Sequence, residues 1–194
     1  MYLRMRKIAI FASGSGTNAE NIIKYFSNRK SAKVSLVLSN KQEASVLKRA
    51  AALNVKSVFF ERSDFYNSDK VLNYLLDEKI DFVVLAGFLW LIPANILSTY
   101  KGRIVNIHPA LLPSYGGKGM YGERVHRAVL ENHEKESGIT IHMVNRFYDE
   151  GDIVFQARCR IEPSDTTETL AARVHTLEYE DYPKVIEDLI TKLP

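Results

Sequence analysis

At 194 residues, 46% hydrophobic and 25% charged, the chain has the composition of one folded α/β unit with enough length to bury a sizeable core. Its 26 basic and 23 acidic residues leave a formal charge of +3, too mild to imply a nucleic-acid partner, and no apolar run approaches the roughly 20 residues of a membrane span. Cys159 is the only cysteine, which excludes an internal disulfide and suits a reducing, cytoplasmic setting.

The start, MYLRMRKIAIF, carries a strand-length apolar segment, KIAIF (7–11), that runs straight into glycines without a cleavage-like site. It is expected to belong to the fold and not to a targeting leader. SGSGTN follows. Gly14 and Gly16 permit a sharp turn, and Ser13, Ser15, Thr17 and Asn18 set donors where a helix over 18–27 exposes its first unpaired N–H groups. An anion suits that place. Three readings fit: a dinucleotide, with Gly14, Gly16 and Ala19 in the small-residue places; some other phosphate; or a plain strand-to-helix turn capped by Asn18. The second strand, VSLVL (34–38), ends in Ser39, Asn40 and Lys41, so the acid that an NAD ribose needs is missing. Lys41 leaves a 2′-phosphate cofactor open.

Helical and apolar stretches then alternate: a helix over 43–53, SVFF (57–60), a helix over 68–79, FVVLA (82–86), a helix over 93–99 and RIVNIH (103–108). Such βαβ repetition builds a parallel, doubly wound sheet with helices on both faces. Ligands bind there beyond the carboxyl ends of the strands where strand order reverses, between the first and fourth strands in the usual order. The loops 13–18, 87–92 and 106–113 should therefore meet.

On the fifth strand Asn106 and His108 project to one face. An amide and a charged imidazole can hold the oxyanion of an acyl transfer, while turn formation at a strand end explains the same pair without chemistry. Pro109 and Pro113 stiffen the exit, and glycines 116, 117, 119 and 122 make the 116–126 segment a candidate lid. Beyond Leu130, SGITIHMV and DIVFQARCRI read as an antiparallel pair joined by NRFYDEGD. Within that turn Asp149, Glu150 or Asp152, reversed at Gly151, offers a carboxylate to keep His108 charged, or all three are solvated. A closing helix over 167–193 carries Leu170, Val174, Leu177, Val185, Ile186 and Leu189 on one side, and Pro183 should kink or divide it. The histidines at 108, 126, 133, 142 and 175 form no close pair and have no cysteine partner, so no metal site is expected.

In this order and at these separations SGSGTN, LAGFLWLIP, NIHPALLP and HMVNRFYDEGDIV resemble the phosphoribosylglycinamide formyltransferase family over nearly the whole chain. The resemblance implies a single formyltransferase domain over 1–194: an α/β, doubly wound, mostly parallel Rossmann-like sheet with an antiparallel C-terminal strand pair and a closing helix. It implies formyl transfer from 10-formyltetrahydrofolate to the glycine amine of 5-phosphoribosylglycinamide in de novo purine biosynthesis, by direct attack through a tetrahedral intermediate. Two small-molecule substrates, no metal, no nucleotide cofactor, no nucleic acid, no membrane and a monomer or homodimer go with that reading.

Carried over residue by residue, the family assigns catalysis to Asn106, His108 and Asp149, with Asp149 raising the His108 pKa and accepting the amine proton. It assigns the phosphate and ribose to Gly16, Thr17, Asn18, His175 and Glu178. The folate falls to Leu89, Trp90, Leu91, Ile92, Asn106 and Thr140, the last expected to orient Asp149 or the donor by a hydrogen bond. This chain also departs from the family. Relatives often have arginine at the Trp90 position, and some have one before the third helix, where FYNSDK offers only Ser68 or Lys70. A loop histidine of the shortest relatives is replaced by the region of Met120 and Tyr121. The family also implies a cis bond before Pro113.

Overall fold

A computed structural model describes residues 4–193; residues 1–3 and Pro194, which the single-domain reading includes, lie outside the described residues. Five parallel strands come first: β1 (Arg6–Phe11), β2 (Ala32–Ser39), β3 (Lys56–Phe59), β4 (Phe82–Leu85) and β5 (Ile104–His108). β6 (Glu136–Met143) runs antiparallel to β5, and β7 (Ile153–Arg160) antiparallel to β6. The spatial order β3-β2-β1-β4-β5-β6-β7 reverses between β1 and β4, as the alternating pattern predicts.

The helices are α1 (Thr17–Ser27), α2 (Ser45–Ala52), α3 (Arg62–Tyr66), α4 (Lys70–Asp77), α5 (Ala94–Thr99), α6 (Glu123–Glu131) and α7 (Thr167–Thr191). Alternate residues of β1 serve two cores. Ile8 and Ile10 join Phe26, Val84, Val105, Val174 and Ile186 on one face, whereas Ala9 and Phe11 join Leu38, Phe65, Leu75, Val83 and Ile96 on the other. Burial on both faces explains why the parallel strands read as continuous apolar runs. Each large side chain sealed this way, Phe11 for example, contributes about 1.5–3 kcal/mol.

Two helices were not anticipated. α3 holds a single buried side chain, Phe65, and is fixed by a reciprocal cap between Glu61 and Asp64, too short for any periodicity to register. α6 occupies part of the segment read as a candidate lid; it buries only Val125, His126 and Val129 and follows a run of glycines that masks its apolar stripe. The bond between Leu112 and Pro113 is cis.

Pro183 does not divide the closing helix. α7 buries Leu170, Val174, Glu178, Tyr182, Ile186 and Ile190, each four residues from the last, as one continuous stripe. A proline leaves the carbonyl four residues earlier without its helical donor. Here that carbonyl, of Tyr179, accepts from Asn21 Nδ2 at 2.9 Å, so α1 supplies the missing bond. Just before it the Tyr182 hydroxyl, fully buried, donates at 2.9 Å to the Leu85 carbonyl and lies 3.3 Å from that of Val105. These contacts seat α7 against the ends of β4 and β5. Among the described residues no helix is long and apolar enough to cross a membrane.

Candidate active site

The three loops meet beyond the strand ends around one cavity of about 830 Å³. Ser13 joins the first two: its N–H donates to the Gly87 carbonyl at 3.0 Å, and its hydroxyl accepts from the Leu89 N–H at 3.1 Å. Gly16 precedes α1 with φ 76°, and a Cβ there would sit 2.4 Å from the Val46 side chain, so glycine is required by both conformation and space. Asn18 does not cap α1. The cap position is Gly16, which has no side chain to give, and the first N–H groups of the helix are left facing the cavity.

At the other end of the cavity stand Asn106, His108 and Asp149. β5 and β6 pair Asn106 with His142 and His108 with Thr140, so two polar residues from each strand come side by side. His142 Nδ1 lies 3.0 Å from the Met143 carbonyl and can only donate to it, which leaves Nε2 to accept from Asn106 Nδ2 at 3.0 Å. One amide hydrogen of Asn106 is thereby fixed and the other is left for a ligand. His108 donates from Nε2 to the Tyr115 carbonyl at 2.8 Å, and its Nδ1 lies 3.6 Å from Asp149 Oδ2. That gap exceeds a hydrogen bond.

Asp149 reaches this place from a left-handed backbone conformation, φ 56°, and is clasped by the Gly117 N–H at 2.9 Å. Gly151 matters for closeness: a Cβ there would lie 1.6 Å from the Met143 carbonyl. Glu150 and Asp152 point to solvent. Burial alone would raise the Asp149 carboxyl, but His142, His108 and the Gly117 N–H outweigh it and hold the group below its ordinary value. Asp149 pulls the His108 pKa up, as expected, but the net shift is downward. Desolvation of a ring that is only 3% exposed lowers its pKa, and the pull of Asp149 across 3.6 Å and of the Tyr115 carbonyl does not reverse this.

In the phosphate corner Gly16, Thr17, Asn18, His175 and Glu178 line the cavity together. Asn18 Nδ2 donates to Glu178 Oε2 at 2.7 Å, and His175 Nδ1 sits 2.7 Å from the same oxygen. With its amide engaged, Asn18 presents Oδ1, an acceptor, which no group satisfies. Backbone N–H groups of the loop, the Ser15 and Thr17 side chains and His175 line the cavity and remain for a phosphate. The Glu178 contact raises the His175 pKa, against the burial that lowers it.

Leu89 lines the main cavity with these groups, whereas Trp90, Leu91 and Ile92 line a small adjoining recess of about 50 Å³ that also touches Asn106 and Asp149. Thr140 reaches neither Asp149 nor either space. Fully buried, its hydroxyl donates to the Ala110 carbonyl at 2.6 Å and accepts from Leu112 N–H and Gln156 Nε2, both at 2.9 Å. One donor and two lone pairs are all a hydroxyl has, so Thr140 anchors the 110–112 turn and nothing else. The sequence reading missed His142, although the alternation of ITIHM sets it on the same face as Thr140, and missed the Tyr115 carbonyl, which carries no side-chain signal.

Comparison with known proteins bears on this geometry. Residues 6–186 match the family model described as formyl transferase. The chain is 35% identical over 191 residues to a phosphoribosylglycinamide formyltransferase of Bacillus subtilis, covering 96% of this chain and 95% of that protein. It is 40% identical over 189 residues to a chloroplastic phosphoribosylglycinamide formyltransferase of Arabidopsis thaliana, covering 94% of this chain but 65% of that longer protein. A crystal structure of phosphoribosylglycinamide formyltransferase from Bacillus halodurans superposes with TM-score 0.84 at 36% identity over 96% of both chains.

Proposed function

This chain belongs to the formyl transferase family, and from that membership we propose that it moves a formyl group from 10-formyltetrahydrofolate to the glycine amine of phosphoribosylglycinamide in purine biosynthesis. One observation carries the reading. A seat for an anion, made by the start of α1 and by His175, whose pKa the Glu178 contact raises, opens on the same cavity as the Asn106, His108 and Asp149 set. A phosphorylated amine held at the first has its nucleophile directed to the second.

The order of events follows from which atoms are free. His108 Nε2–H is engaged by Tyr115, so Nδ1, facing Asp149, is the nitrogen left for chemistry. The substrate amine attacks the formyl carbon and its proton enters the His108–Asp149 pair. The oxyanion accepts the second Asn106 N–H and is offset by the imidazolium formed alongside the ionised carboxylate; one such preorganised donor is worth about 3 kcal/mol. As the carbon–nitrogen bond to folate breaks, the pair returns the proton to the departing nitrogen and ends as it began.

Purified protein supplied with both substrates should form the formylated acceptor, and removal of the acceptor's phosphate should raise KM about tenfold or more with a smaller effect on kcat. Release of formate without formylated acceptor would defeat this reading.

A further inference from the structure

One polar ring in the cavity has no part in that reaction. His126, in the first turns of α6, is 2% exposed and lines the cavity, yet its Nδ1 is sealed from solvent and has no hydrogen-bond partner. Sealed in this way, Nδ1 cannot itself meet a ligand, so any contact the ring makes in the cavity is through Nε2. A buried N–H without an acceptor is rarer than an idle lone pair, which assigns the ring proton to Nε2. Nε2 is then the one polar atom through which the ring can meet a ligand, as a donor.

Burial lowers the pKa of His126, and His175 adds to the effect while Glu178 opposes it. An uncharged donor suits a neutral oxygen better than a phosphate. The same cavity is lined by His175 and Glu178 in the phosphate corner and by His108 at the reacting centre. In that corner Glu178 and the unsatisfied Asn18 Oδ1 are acceptors, matched to the sugar hydroxyls. A phosphoribosyl amide has one strong neutral acceptor between its sugar and its amine, the amide carbonyl.

We propose that His126 binds the acceptor substrate by donating from Nε2 to its amide carbonyl, holding the amine in register with His108. The proposal rests on the acceptor named above. Titration calorimetry of the wild type, His126→Phe and His126→Gln with phosphoribosylglycinamide and with ribose 5-phosphate tests it. The phenylalanine variant, which keeps the ring but lacks the N–H, should bind the amide about tenfold more weakly, and glutamine should recover part of the loss. Ribose 5-phosphate, which has no amide, should bind all three alike. Should His126→Phe fail to fold, His126→Met, equally unable to donate, replaces it. Unchanged binding of the amide by a non-donating variant overturns the proposal, as does an equal loss for both ligands. A wild type that binds ribose 5-phosphate but not the amide overturns the acceptor reading itself.

Discussion

Two histidine–carboxylate pairs share one cavity and are opposites. His175 and Glu178 touch at 2.7 Å, three residues apart on one helix, and the contact raises the imidazole pKa. His108 and Asp149 come from separate elements and stop at 3.6 Å, and burial wins over attraction, so the imidazole pKa falls. A direct bond in a partly open place favours the protonated ring. A deeper pair held just out of contact can change its protonation when a reacting group arrives, which is what proton transfer requires. The difference teaches that neighbouring charge alone does not decide the state of a ring; distance and desolvation do.

The hardest way to break this contrast is to neutralise the open pair. Asp149→Asn keeps the shape and the Gly117 contact but removes the charge that stabilises an imidazolium, and turnover should fall roughly a hundredfold or more with the fold intact. Single-turnover formylation would show it, and a variant within a few fold of wild type would mean the pair does not carry the proton.

Breaking the closed pair should act on binding instead. His175→Ala removes the ring whose protonation Glu178 favours and should raise KM for the phosphorylated acceptor by about tenfold while kcat changes little. If KM for an acceptor without phosphate rises equally, the phosphate is not held there.

The smallest effect sharpens the contrast by pH. A raised imidazole pKa contributes stability that is fully present below the unfolded value and is lost as pH rises through the folded one. His175→Gln should therefore melt below wild type at about pH 5.5 and match it at about pH 9. The half-exposed ring limits the gap to about 1 kcal/mol or less. Asp149 behaves inversely, since its depressed pKa gives stability present above the unfolded carboxylate value and lost as pH falls through the folded one. A difference between the proteins that grew toward high pH would contradict the raised pKa of His175.

What the sequence alone determined follows from backbone periodicity. Strands that alternate with helices, apolar on both faces, specify a parallel sheet reversing between β1 and β4, and a strand's two-residue repeat puts Asn106 beside His108 at its rim. Only the tertiary structure decided the chemistry of those groups. The Asn18 amide is tied to Glu178, 160 positions away; Thr140 turned from the site to the 110–112 turn; Pro183 found its missing donor on α1. Hydrogen-bond partners and desolvation are sums over groups that folding brings together from far along the chain, and no local pattern carries that sum.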